Sequence, residues 1–161
     1  MSERSQTDQL CSASANGNLA EVKQCLQNGA DVNGYNAHGR TPLQVVKLGC
    51  PAVALHLLES GAEPNRRDPV HCLTVLHDAA RDGYVDMVQM LVSHGANVNL
   101  VDDRGNLPLH LAAQEGHTGV VRLLIELAAN PGLENFEGHT AYDLAHEGGK
   151  MATAKWINDY F

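Results

Sequence analysis

Landmarks in this sequence return every 33 residues, and a period of that length restricts a chain to stacked supersecondary units. Thr41, Thr74, Leu107 and Thr140 stand 33 apart and open related segments, among them Thr41-Pro42-Leu43-Gln44, Thr74-Val75-Leu76-His77 and Leu107-Pro108-Leu109-His110. One step back from Thr41, Asp8-Gln9-Leu10 starts a weaker copy. Gly17, Gly49, Gly83, Gly116 and Gly149 mark a bend inside each copy. Gly29-Ala30, Gly61-Ala62 and Gly95-Ala96 precede a polar turn, with Ala128-Ala129 in the same place of the fourth copy. Five repeats are expected at about 8–36, 37–69, 70–102, 103–135 and 136–161, within one domain spanning 1–161.

Each copy reads as a turn, a short helix, a glycine bend, a second helix and a polar return. Threonine caps a helix start well, and proline at the first helical position occupies a slot that needs no N–H. In the fourth copy Leu109, Leu111, Ala112 and Ala113 supply a narrow apolar face, and Gly116 stops the helix. Val120, Val121, Leu123, Leu124 and Leu127 then recur at helical spacing. The predicted fold is an all-α solenoid of five helix-turn-helix repeats joined by hairpin loops, because no single helix pair can bury its own apolar face. One Trp, 4 Tyr and 2 Phe are few for 161 residues, so the core falls to Leu, Val and Ala. Trp156, Ile157, Tyr160 and Phe161 in the last repeat either close the end of the stack or form an exposed patch.

Departures from the shared pattern concentrate in two neighbouring repeats, where something other than stacking can be at work. Nine residues separate Thr74 from Gly83, Leu107 from Gly116 and Thr140 from Gly149, but eight separate Thr41 from Gly49. Losing one residue rotates everything after it by about 100°, so the first helix of repeat two is expected to shrink to about one turn. That is either a tolerated irregularity or a device that re-aims Val45, Val46, Lys47 and Leu48 toward a partner. The position after the Leu-His pair holds Ser12, Val45, Asp78, Leu111 and Leu144, a carboxylate in the third repeat alone. Asp78 is either held by the free N–H groups and dipole of its helix start or faces the groove to meet a basic group. Third, Gly39, Gly105 and Gly138 share a hairpin slot that Cys72 takes in repeat three, which predicts a hairpin of different shape.

The 33-residue period and T-P-L-H-x-A pattern resemble the ankyrin repeat. More narrowly, Gly39-Arg40-Thr41-Pro42-Leu43-Gln44-Val45-Val46-Lys47-Leu48-Gly49, Val75-Leu76-His77-Asp78-Ala79-Ala80-Arg81-Asp82-Gly83-Tyr84 and Gly105-Asn106-Leu107-Pro108-Leu109-His110-Leu111-Ala112-Ala113 are similar to the ankyrin-repeat inhibitors of the cyclin D-dependent kinases. The likeness runs from about Leu10 to Trp156, and five repeats match the longer members. It implies binding to the catalytic subunits of cyclin-dependent kinases four and six beside the ATP cleft. It also implies a twist of the kinase lobes that weakens cyclin binding, and a block on progression from the first growth phase. By position it assigns partner contact to Asp78, Asp68, His77, Arg81, Tyr84 and Asp86, and to the shortened segment Gln44, Val45, Val46, Lys47 and Leu48. Asn16-Gly17-Asn18 lacks the basic residue common in the family's first repeat, and Pro69-Val70-His71-Cys72 departs from its usual loop. A monomer in cytoplasm and nucleus is expected, small enough to diffuse through pores.

Other classes fit poorly. Nineteen acidic against 11 basic side chains give a net charge of −8, which a phosphate backbone repels, so no nucleic-acid partner is expected. No apolar run approaches 18 residues, and Met1-Ser2-Glu3-Arg4-Ser5-Gln6-Thr7-Asp8 carries no apolar leader core, so neither a membrane span nor a secretory signal is expected. Cys11, Cys25, Cys50 and Cys72 form no CxxC pair and are expected as reduced thiols. No enzyme, metal or cofactor is expected: G-x-S-x-G, phosphate-loop and H-E-x-x-H motifs are absent, and the repeat accounts for His77, His110 and His117. The competing reading is an ankyrin scaffold for a different protein partner.

Overall fold

The computed structural model describes residues 3–161; Met1 and Ser2, which begin the segment read as lacking a leader, lie outside them. Nine helices and no strand occur among the described residues: α1 (Glu3–Asn16), α2 (Leu19–Gln27), α3 (Pro51–Glu59), α4 (Val75–Arg81), α5 (Val85–Ser93), α6 (Pro108–Gln114), α7 (Thr118–Ile125), α8 (Ala141–Glu147) and α9 (Met151–Tyr160). The first helices α4, α6 and α8 pack side by side in one row, and the second helices α2, α3, α5, α7 and α9 form the other. Between the rows runs one core. Ala79, Ala80, Ala112, Ala113 and Ala145 let the short helices approach closely, and Leu57, Met87, Leu91, Leu124 and Ile157 fill the space behind them. Each fully buried Leu or Met contributes about 2–3 kcal/mol of apolar transfer.

Side-chain caps start the first helices. Thr74 accepts the His77 N–H and the His77 ring accepts the Thr74 N–H; Thr140 and Asp143 repeat the exchange. Helix α1 begins at Glu3, ahead of the boundary near residue 8 read from the repeat, and runs 14 residues against seven for α4, α6 and α8. Thr7, 6% exposed, docks that extension beside Gly34 of the second hairpin. At the other end Arg122 lies over the Trp156 ring, 5.5 Å from its centroid, while Tyr160 and Phe161 pack edge to face and stay exposed.

Repeat two has no first helix. Residues 41–46 make a single turn, held by Val45 N–H donating to Thr41 O and Val46 N–H to Leu43 O, both at 3.3 Å. The turn leans on α1: Lys47 N–H donates to Ser14 O at 3.0 Å and Ser14 Oγ–H to Pro42 O at 2.7 Å. The bend after it differs as well. Asn18, Tyr84, His117 and Lys150 each donate a backbone N–H to an alanine carbonyl five residues back, which requires the left-handed glycine between. Cys50 instead donates to Lys47 O, three back, and Gly49 has no positive φ.

The missing residue returns one hairpin later. An Asn or Asp anchors each hairpin 19 residues after the bend glycine: Asn36, Asp68, Asp102 and Asn135. Asn36, Asp102 and Asn135 donate their N–H to the carbonyl four residues on, whereas Asp68 donates to Leu73, five on. The third hairpin is therefore one residue longer and differs in shape, yet Cys72 keeps the left-handed φ of 60° that glycines adopt in the same slot elsewhere. A deletion in repeat two and an insertion in the next hairpin cancel, so Thr41 and Thr74 remain 33 apart.

Candidate functional site

Asp78 sits in the first turn of α4, but its side chain is no cap. Thr74 and His77 already use the helix-start groups, and the Asp78 carboxylate takes no backbone N–H among the described residues. Among the described residues its one direct partner is Arg81, whose Nη1 lies 3.2 Å from Asp78 Oδ1. That guanidinium is shared: Nε and Nη2 donate to Asp82 Oδ1 and Oδ2 at 3.0 and 3.4 Å. Burial pushes the Asp78 carboxyl above its usual range, Arg81 pulls it back, and the charges of Asp68 and Asp82 raise it further. The result is a half-buried carboxylate at a groove position where four other repeats carry Ser, Val or Leu, with its one cation divided between two anions. Asp78 is thus not held by its helix start, and an added cation would relieve both desolvation and repulsion.

Asp68 has a second task. Its Oδ1 accepts the Val70 and His71 N–H groups at 2.8 and 2.7 Å, which builds the hairpin. Burial pushes its carboxyl up, but those bonds, the Arg40 charge and a bond from the Leu73 segment outweigh it and hold the group below the ordinary range.

Tyr84, 42% exposed, and Asp86, also exposed, lie on the far side of the α4 bend. With Leu48, Gly49, Pro51, Gly83, Val85 and Met87 they line a cleft of about 290 Å³ between the bends of repeats two and three. Lys47 is exposed, and Gln44, Val45 and Leu48 are half-buried. Gln44 also completes a capping pair, its Oε1 accepting the Thr41 N–H at 2.7 Å. The structure thus gathers the positions into an acidic cluster, Asp68, Asp78 and Arg81, and a cleft, Leu48, Tyr84 and Asp86.

Two assignments are corrected. His77 is fully buried; its Nδ1 accepts from Thr74 and its Nε2 donates to Asn106 O at 2.9 Å, so it braces repeat three on repeat four and offers no contact surface. Val46 is 5% exposed and belongs to the core. Both face inward because the helical turn that presents Asp78 and Lys47 outward must direct their neighbours in. Asp82, beside Arg81 in the sequence, takes half of that guanidinium, and Val85 and Met87, which no sequence signal singles out, line the cleft.

Among the described residues no group of three His, Cys, Asp or Glu side chains is placed to hold a metal, and no helix is long and apolar enough to cross a membrane. The description "Ankyrin repeats (3 copies)" matches residues 70–159, and "Ankyrin repeat" matches 38–69. The rat protein named cyclin-dependent kinase 4 inhibitor B is 43% identical over 100 residues, which are 62% of this chain and 77% of the relative. The human protein of that name is 44% identical over 100 residues, 62% of this chain and 72% of its own. Human cyclin-dependent kinase inhibitor 2A is 42% identical over 102 residues, 63% of this chain and 65% of its own.

Proposed function

This chain belongs to the family of ankyrin-repeat cyclin-dependent kinase inhibitors, and from that premise we propose how it inhibits. Its partners are cyclin-dependent kinases, and its role is that of a non-enzymatic inhibitor. The kinases are those numbered four and six. The concave side of repeats two and three docks on the catalytic subunit beside the ATP cleft and away from the cyclin. Binding favours a twisted arrangement of the two lobes in which cyclin binds weakly and ATP is misaligned. Inhibition is then allosteric, its strength set by the difference in affinity for the twisted and active arrangements. The protein acts as a monomer, in cytoplasm and nucleus.

The observation that carries this reading is the state of Asp78: a desolvated carboxylate, crowded by Asp68 and Asp82, with Arg81 only partly committed to it. A lysine or arginine of the kinase small lobe supplies what it lacks. Asp68 and the exposed Lys47 lie on the same repeats and extend the contact. An interface of ordinary size buries about 1,600 Å² in total, within which a desolvated charge pair is a hot spot. Asp78→Ala should weaken binding to the isolated kinase by at least about tenfold, on the order of 2 kcal/mol or more. Its fold should survive, because the substitution also removes a carboxylate that burial disfavours. Calorimetric titration of both proteins, with circular dichroism on each, tests this. An unchanged dissociation constant removes Asp78 from the interface, and a folded wild type that binds neither kinase leaves a scaffold for another client.

A further inference from the structure

At successive junctions of the stack, the residue after each bend glycine lies across the bend before it. A Cβ on Gly17 would come within 2.6 Å of Cys50 Sγ, one on Gly83 within 2.5 Å of the His117 ring, and one on Gly116 within 2.8 Å of Lys150 Cδ. These junctions are closed. Between repeats two and three the corresponding residue is Tyr84, and a Cβ on Gly49 would meet its ring at 3.7 Å, an ordinary van der Waals contact. This junction is therefore less tightly closed than the others. Repeat two ends in a turn closed three residues back instead of five, so its bend has a different shape.

The cleft left there has walls of one kind and a rim of another. Leu48, Pro51, Tyr84, Val85 and Met87 are apolar or aromatic, Tyr84 keeps an exposed ring, and Asp86 stands at the edge. Asp86 has no ion pair among the described residues; its one evident stabilisation is its place in the first turn of α5. Asp82, on the same bend, adds negative charge but is engaged by Arg81. An apolar slot with an aromatic face and a free carboxylate matches a long hydrocarbon stem ending in a cation.

We propose that the cleft between the bends of repeats two and three receives one lysine or arginine side chain of the kinase, its stem against Leu48, Tyr84 and Val85 and its charge at Asp86. This rests on the kinase-inhibitor reading above and adds a second cationic contact apart from Asp78. It also gives the helix deletion a purpose, since a full-length first helix would close the junction as it does elsewhere.

Gly49→Leu tests the slot. Gly49 is not in the left-handed conformation and has room for a Cβ, so leucine enters the cleft without backbone strain. Asp86→Asn tests the charge on an exposed position that cannot unfold the core. Both are titrated against the isolated kinase catalytic subunit at two ionic strengths, beside wild type and Asp78→Ala, with thermal unfolding of each. Gly49→Leu should bind about tenfold more weakly, and Asp86→Asn about threefold to tenfold more weakly at low salt with the difference shrinking as salt rises. Wild-type affinity in both variants, while Asp78→Ala is weakened, overturns the cleft and spares the inhibitor reading. A loss in Gly49→Leu with none in Asp86→Asn overturns the cationic occupant in favour of an apolar one. No binding by wild type overturns both.

Discussion

Replacing Gln44 with histidine should stabilise the second repeat. In repeats three and four the residue at this position is a fully buried imidazole that does two things. The ring's Nδ1 accepts the N–H at the helix start, from Thr74 at 3.2 Å and from Leu107 at 2.9 Å. Its Nε2–H reaches the next repeat, to Asn106 O at 2.9 Å and to Leu133 O at 2.8 Å. Gln44 manages the first task through Oε1, but its Nε2 is buried and has no partner among the described residues. The carbonyl 29 residues on, matching Asn106 O for His77, is Leu73 O; it accepts from Asp68 at 2.8 Å and has a second lone pair to offer. An added hydrogen bond contributes about 1 kcal/mol, and ending the stranded donor's desolvation about 1 kcal/mol or more. Allowing for imperfect geometry, the net gain is about 1.5 kcal/mol, or about 3–6 °C in Tm for a chain of this size. Urea unfolding measures the total, and native-state hydrogen exchange locates it. In wild type the amides of residues 43–48, held by one turn, should exchange faster than those of residues 109–114, and Gln44→His should slow them. An unchanged or lower midpoint, or unchanged exchange in that segment, would refute the bridging argument.

Two further outcomes follow from the same geometry. Cys72→Gly should raise stability by up to about 1 kcal/mol, since a left-handed L-residue costs about 1–2 kcal/mol and glycine returns part of that as backbone entropy, while Cys72→Val should lower it; equal unfolding midpoints for the three proteins would show that the hairpin carries no strain. Burial holds His77 and His110 below the ordinary histidine range, so the folded state favours the neutral rings. Their stability contribution is full above about pH 6.5 and is lost as pH falls from there toward the folded values; a His77→Gln, His110→Gln variant should be weaker at pH 7 and flatter between pH 7 and 5, and an unaltered slope would exclude these rings as the acid-labile groups.

Much of this was legible from the chain because the chain contains its own comparison. Five copies in register exposed the period, the helix positions and the one-residue deficit between Thr41 and Gly49. The odd carboxylate at Asp78 stood out against Val45, Leu111 and Leu144 for the same reason. Counting from threonine to threonine hides the compensating insertion because it spans both changes; the spacing from Asp68 to Thr74, one residue longer than from Asn36 to Thr41 or Asp102 to Leu107, holds the signal. The direction of side chains was not legible. Resemblance assigns His77 and Val46 to a binding segment, but a helical turn places neighbours about 100° apart, and these two point into the core. Nor does spacing reveal the length of α1, whose first residues lie ahead of the repeat's first landmark at Asp8.

The two length changes are each absorbed where they occur. The short turn closes with Cys50 N–H on Lys47 O, the long hairpin with Asp68 N–H on Leu73 O, and the stretch from Gly49 to Asp68 between them keeps the length it has in the later repeats. Stacked modules contact only their neighbours and accommodate such changes in their loops. A designer transplanting this surface to another ankyrin scaffold can therefore graft the short turn and the long hairpin one at a time and measure what each contributes.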